Sequence, residues 1–334
     1  MRIYSHAMAT CRAFLWGAVC LCPQTTWADT APQDRPVGWS DWNFDPVILL
    51  NLSMLLWLYG RGLAQLRAVG NGHHRPWREF TIRRHPNRKT LLSDQLTPVS
   101  TLAFAMGYCL LTLALLSPID PLGGQLSWVH MIQHMLVMTV AVPLMLIGSP
   151  GLVCLRGVPA FSRRWLVRSK LLLDRGVGPW LWSPGMAWSV YAAATWIWHL
   201  PVLYGATLRS QIARDLQHLT FFVAAWLFWR PLLHNRRRDS MPAGMAVFYL
   251  LTTTLHVTVL GVLMTIAPLA WYGEYADTVQ LWGWSPLEDQ QMAGLIMWMP
   301  ACLPYLVVAV WLFAKDIWQP TNSATLHKLP ANVE

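Results

Sequence analysis

Five histidines fall inside or at the edges of strongly apolar stretches of this 334-residue chain: His130, His134, His199, His218 and His256. An ionisable side chain in such a stretch is costly and faces the interior of a helix bundle for a reason. His130 and His134 are four residues apart, so on a helix they share one face, about 6 Å apart along the axis. Met138 continues that stripe one turn on. His199 ends one apolar stretch, and His218 lies about two turns into the next, one turn past Asp215. These four histidines come from three segments and converge on one level, with His256 deeper. Neutral imidazole is the commonest protein metal ligand and suits copper, zinc or iron. Thioethers from Met131, Met135, Met138, Met264 and Met292 add a soft donor suited to Cu(I), although methionine also serves as an apolar gap-filler. Asp289 and Asp215 stand where a carboxylate would ligate a metal or orient an imidazole. The candidate metal set is therefore His130, His134, His199, His218, His256, Asp289, Met138 and Met292.

The elements that must position these residues are membrane helices. Charged residues are 12% of the chain and hydrophobic residues 54%, against about 25% charged in an ordinary soluble domain. Seven apolar stretches stand out, near 45–66, 97–116, 127–146, 180–200, 211–233, 243–266 and 290–314, each long enough to cross a bilayer core of about 30 Å. Within lipid they must be helical, because no water satisfies an open backbone. The expected fold is an all-α polytopic bundle of about seven transmembrane helices. Pro143, Pro300 and Pro304 are expected to kink the third and seventh.

The net charge of +9 is unevenly distributed. Arg61, Arg67, Arg75, Arg78, Arg83, Arg84, Arg88 and Lys89 follow the first stretch; Arg156, Arg163, Arg164, Arg168, Lys170 and Arg175 follow the third; Arg230, Arg236, Arg237 and Arg238 follow the fifth. The opposite side has Arg35, Arg209 and Arg214. Basic loops stay cytoplasmic, which puts the N-terminus and the histidines outside and the C-terminus inside. This dispersed pattern excludes nucleic-acid binding in favour of a lipid bilayer. Residues 1–28 read as a cleaved signal peptide, with Arg2 and Arg12, a short apolar run and a Thr26-Trp27-Ala28 cleavage site. An exoplasmic segment, 29–44, then leads into the membrane domain, 45–318, and a cytoplasmic tail, 319–334. Phe161–Leu173 mixes basic and apolar residues like an interfacial amphipathic helix. Cys109, Cys154 and Cys302 are dispersed and form neither a disulfide framework nor a thiolate site.

Around the histidines the sequence resembles the CtaG family of cytochrome c oxidase assembly factors. The similar segments begin with His130-Met131-Ile132-Gln133-His134-Met135-Leu136 and Gly148-Ser149-Pro150. Trp198-His199-Leu200-Pro201 and Asp215-Leu216-Gln217-His218 follow, the latter running to Phe228-Trp229-Arg230-Pro231. His256 with Leu260-Gly261, and Asp289-Gln290-Gln291-Met292-Ala293-Gly294, complete the set. The resemblance implies a non-enzymatic role in a bacterial plasma membrane: handling transient Cu(I) for the catalytic subunit of cytochrome c oxidase, with a soluble exoplasmic copper donor as a further partner. The residues alone leave other functions open. One is a bis-histidine haem protein for electron transfer, for which His134 and His218 have matched depths. Another is a membrane zinc hydrolase with Asp215 or Asp289 as base. A third is a metal-free scaffold.

Overall fold

The computed structural model describes residues 34–70, 97–175, 180, 182–233 and 241–318. The signal peptide, most of the first basic connection, His73, His74, His85, His234, His327 and the 319–334 tail lie outside them. The described residues are helical, with no strand among them. The main helices are α1 (Pro46–Gly70), α2 (Pro98–Leu116), the short α3 (Ile119–Gly123), α4 (Ser127–Met135), α5 (Val142–Ile147), α6 (Pro150–Gly157) and α7 (Ala160–Arg175). They continue with α8 (Pro184–Trp198), α9 (Pro201–Arg209), α10 (Gln211–Leu233), α11 (Ala243–Thr265), α12 (Pro286–Trp298) and α13 (Leu303–Trp318).

Five segments are long and apolar enough to cross a membrane: Pro46–Ala68, Pro98–Leu116, Ser127–Ile147, Ala243–Thr265 and Pro286–Ala314. The chain is a multi-pass helical membrane protein. The two other expected spans differ from these for separate reasons. Helix α8 has 15 residues, about 22 Å at 1.5 Å each. Helix α10 has 23 residues but carries Arg214, Asp215, Gln217 and His218. Its exposed residues Ile212, Leu216, Leu219 and Val223 form an apolar stripe, while Arg214, Gln217, Phe221 and Ala225 are buried. That inverted pattern is what a helix needs when lipid is on one side and a polar interior on the other.

Local sequence explains most helix starts. Thr97, Ser183 and Ser285 cap α2, α8 and α12, each followed by a proline in the first turn. A proline there loses no helix bond, since the first N–H groups lack partners anyway. Ser285 and Glu288 form a full capping box. Helix α4 has no such device: its N-cap residue is Leu126, which offers no side-chain acceptor.

The third span is one helix with a π-helical segment, Leu136–Ala141, between α4 and α5. Pro143 accounts for it. Proline has no N–H to give the preceding turn, and the backbone widens so that the Val142 N–H reaches Val137 O. The Met138 carbonyl then has no helix donor, because the donor five residues on is Pro143. Trp229 Nε1 on α10 donates to it at 2.8 Å. The kink expected in the seventh span appears as a break: α12 ends at Trp298, Pro300–Cys302 is 3-10 helical, and α13 resumes at Leu303.

Close backbone approach locks α12 to α11. A Cβ on Gly261 would lie 2.9 Å from Gly294 O, and one on Gly294 would lie 2.6 Å from Gly261 O. Small residues allow this contact between membrane helices.

If Trp229 satisfies the freed Met138 carbonyl, W229F leaves a buried acceptor unpaired, at a cost of about 1–3 kcal/mol. The thermal midpoint of the purified protein should fall by several degrees. An unchanged midpoint would remove this role for the indole.

Candidate functional site

The candidate site is at the end of the bundle where α4, α10 and α12 begin and α8 ends. His130 and His134 are buried, 3% and 2% exposed, and their Nε2 atoms lie 2.7 Å apart. One nitrogen therefore donates and the other accepts. The ring of His218 on α10 lies 5.4 Å from that of His134, centroid to centroid. Gln217 lies against both members of the pair.

His199 sits just past the end of α8. Its Nδ1 is 2.5 Å from Thr195 O. A carbonyl accepts only, so Nδ1 must carry the proton and Nε2 the lone pair. That Nε2 atom is buried without a hydrogen-bond partner among the described residues, as are both ring nitrogens of His218. A buried polar atom left unpaired costs about 1–3 kcal/mol. The site thus holds three imidazole nitrogens whose hydrogen bonding is unmet.

Tyrosines close this end. Tyr204 on α9 lies 5.0 Å from the His130 ring and 6.5 Å from the His199 ring. It stacks on Tyr272 at 3.9 Å, and its hydroxyl is 3.1 Å from that of Tyr275. Tyr272 donates to His199 O at 3.1 Å, and Tyr275 to Gly123 O at 2.7 Å. Both belong to the connection between α11 and α12, which therefore lies across the cluster. An Arg209–Glu274 ion pair fastens its rim. The 34–45 segment joins this cover through Gln125, whose Nε2 donates to Arg35 O at 2.8 Å and whose Oε1 accepts from Val37 N and from Trp282 Nε1.

A buried polar group stands behind the histidines. Asp120 on α3 accepts from Asn43 Nδ2 and Gln133 Nε2, each at 2.7 Å. Arg214 lies 4.0 Å from its other side. This pairing keeps an aspartate and an arginine buried together, 4% and 6% exposed, and ties α4 to α3 through Gln133.

The other sequence candidates are placed differently. Both oxygens of Asp289 are engaged by backbone, Oδ2 by Ser127 N at 2.8 Å and Oδ1 by Trp128 N at 3.3 Å. Met138 is in the main apolar cluster with Phe221 and Phe228. Met131 packs with Tyr204, Tyr272 and Met264 in a second cluster. Met292 is half-buried on α12. His256 is set apart and faces Trp188 at 5.5 Å, with both ring nitrogens unpaired among the described residues. Asp215 accepts from Gln211 Nε2 at 2.9 Å. Among the described residues no three His, Cys, Asp or Glu side chains are spaced to hold a metal ion as they stand. Sequence reasoning missed Tyr204, Asp120 and Gln133 as parts of the site.

The family model of the cytochrome c oxidase caa3 assembly factors matches residues 57–317, which include every histidine of the cluster. The chain belongs to this family. Uncharacterised proteins of Mycobacterium bovis and Mycobacterium tuberculosis are each 25% identical to it over 284 residues, 82% of this chain. One of Mycobacterium leprae is 22% identical over the same length. The chain spans 39% of the length of each of these relatives. No solved structure matches the family member.

The tyrosine cover predicts slow chemical access to the cluster. Y275F removes the bond to Gly123 O, worth about 1 kcal/mol, which raises the open fraction about fivefold. Carbethoxylation of His130 and His134, followed by mass spectrometry, should speed up accordingly. Equal rates in wild type and variant would show that Tyr275 does not hold the cover shut.

Proposed function

We propose that this chain carries Cu(I) for the catalytic subunit of the oxidase, using His130, His134, His199 and His218 as donors. The observation that carries the reading is the set of unpaired, buried imidazole nitrogens gathered at one end of the bundle. Each is a lone pair or N–H that neither protein nor lipid satisfies. A soft or borderline cation bound by neutral imidazoles would satisfy the lone pairs.

The donor set favours a monovalent cargo. Two carboxylates at this end, Asp289 and Asp120, already accept two hydrogen bonds each. A divalent ion would enter with little compensating charge. The His130–His134 pair must also adjust. Two nitrogens bound to one ion at about 2.0 Å each stand at least about 3.3 Å apart at a tetrahedral angle and about 4 Å in a linear arrangement. From 2.7 Å, the rings must part, and the ring that donates must shift its proton from Nε2 to Nδ1 so that both Nε2 atoms offer lone pairs. Binding therefore costs the pair its hydrogen bond, and the cargo is held transiently.

The other readings fit less well. A haem ligated by His134 and His218 needs a macrocycle between rings that are already in contact. A zinc hydrolase needs a free general base, whereas the oxygens of Asp289 are committed to backbone and Asp215 accepts from Gln211 Nε2. The basic residues Arg61, Arg156, Arg163, Arg164 and Arg168 belong to the half of the fold away from the histidines. By the positive-inside bias this supports a cluster on the exoplasmic side, the side of a soluble copper donor.

Anaerobic titration of the purified protein against a colorimetric Cu(I) chelator tests the proposal. Wild type should compete for Cu(I), and H134A should lose at least tenfold in affinity, about 1.4 kcal/mol. Cells carrying H134A should accumulate copper-deficient oxidase. Wild-type protein that binds no more Cu(I) than H134A, together with fully copper-loaded oxidase in cells lacking the protein, would overturn it.

A further inference from the structure

Asp289 stands in the same motif as the half-buried Met292, and its position in a polar run of an apolar span invites a ligand role. The geometry points elsewhere. We propose that Asp289 is a positioning residue: it is the missing N-cap of α4, supplied from α12, and it sets where His130 and His134 stand.

Three observations meet on this carboxylate. First, α4 starts without a cap of its own, because Leu126 has no side-chain acceptor. The first N–H groups of a helix have no intrahelical partner, and in α4 they are buried at the end of a membrane bundle, where an unmet donor is costly. Second, Asp289 is 1% exposed and its two oxygens accept from two successive N–H groups of that turn, Ser127 and Trp128. A negative charge at a helix N-terminus is further favoured by the helix dipole. Third, α12 does not need this carboxylate for itself. Its own start is closed by the Ser285–Glu288 capping box.

The consequence reaches the histidines because they are so near. His130 is three residues past Ser127, and its own N–H donates to Leu126 O at 3.2 Å in the first turn. Fixing Ser127 and Trp128 to α12 therefore fixes the rotation and depth of the turn that carries His130. His134 follows one turn later on the same face. Helix α12 is itself held on α11 through Gly261 and Gly294, so the reference point is rigid.

The copper part of the test rests on the proposed function; the histidine part does not. In full-length protein with 15N-labelled histidine, solid-state NMR reads the hydrogen-bonded nitrogens of the His130–His134 pair without any metal. D289N keeps an acceptor oxygen but no charge; D289A keeps neither. S127P leaves Asp289 untouched and deletes one N–H that it caps. Position 127 tolerates proline because it is the first helical residue, and the extended backbone of Leu126, φ −134° and ψ 120°, suits a residue before proline.

The paired-histidine signal should be lost in D289A, retained in D289N, and shifted in S127P. Cu(I) affinity should fall about tenfold in D289A and stay within about threefold of wild type in D289N. A wild-type signal in D289A or S127P overturns the proposal. So does equal loss in D289A and D289N, which would make the charge or direct ligation the relevant property. If D289A does not accumulate as folded protein, D289N and S127P decide alone. If wild type binds no Cu(I) while the NMR pattern holds, the copper reading fails and the positioning role stands.

Discussion

The first turn of α4 is the point on which the histidine end depends. A helix that begins inside a membrane bundle exposes N–H groups where no water can take them. Here they are taken by a carboxylate 162 residues further along the chain. The same helix is gripped along its side by Gln133, which donates to Asp120 and to Ala114 O. Further on it is held by Trp229, which takes up the carbonyl that Pro143 frees. Polar contacts to four different helices, α12, α3, α2 and α10, thus hold this one span, and its first turns present two histidines. Without these contacts the pair would have no defined depth in an environment where apolar packing alone distinguishes little between one rotation and the next.

The membrane character of the fold was legible because it rests on composition and run length. The stretches near 97–116, 127–146 and 243–266 correspond closely to Pro98–Leu116, Ser127–Ile147 and Ala243–Thr265. The stretch near 180–200 reads longer than its helix because Leu200-Pro201 breaks the helix and starts α9, while both sides stay apolar. The positions of His130, His134, His199 and His218 along their helices follow from counting residues from the ends of the stretches. Counting works here because a helix converts position into height with little freedom.

What stayed hidden were partnerships across the sequence. Asp289 reads as a ligand candidate because a carboxylate at the start of an apolar span announces function. That it faces a helix start depends on how α12 packs, which no local pattern encodes. Asp120 and Gln133 are thirteen residues apart and look like ordinary loop and helix residues. Their link becomes visible only once α3 folds back on α4. The π-helical segment had a local cause, Pro143, but proline predicts a disturbance without saying which form it takes. Tyr204 lies in a short helix between two spans, a place where an aromatic residue is expected at a membrane interface anyway. Met138 lies on the histidine stripe by period, yet the widened turn between them places it among Phe221 and Phe228.

The energetic asymmetry within the site carries the functional argument. The carboxylates and the arginine at this end are nearly all satisfied: Asp289 by two backbone donors, Asp120 by two amides, Arg214 Nε by Thr207 O at 3.3 Å. The imidazoles are not. A fold that satisfies its most expensive groups while leaving His199 Nε2 and both nitrogens of His218 without partners has not run out of hydrogen-bonding partners. Ser127 Oγ and Gln217 Oε1 at the same end are likewise buried without a partner among the described residues, while the tyrosines pair with one another and with backbone. Buried polar groups persist at a cost of about 1–3 kcal/mol each, and such costs concentrate at sites that act. The unmet nitrogens also belong to the one side-chain type that can give up hydrogen bonding for coordination without carrying a charge at neutral pH. Satisfied charges around unsatisfied neutral imidazoles support the proposed transient cation, because among the imidazoles only the His130–His134 bond must be broken.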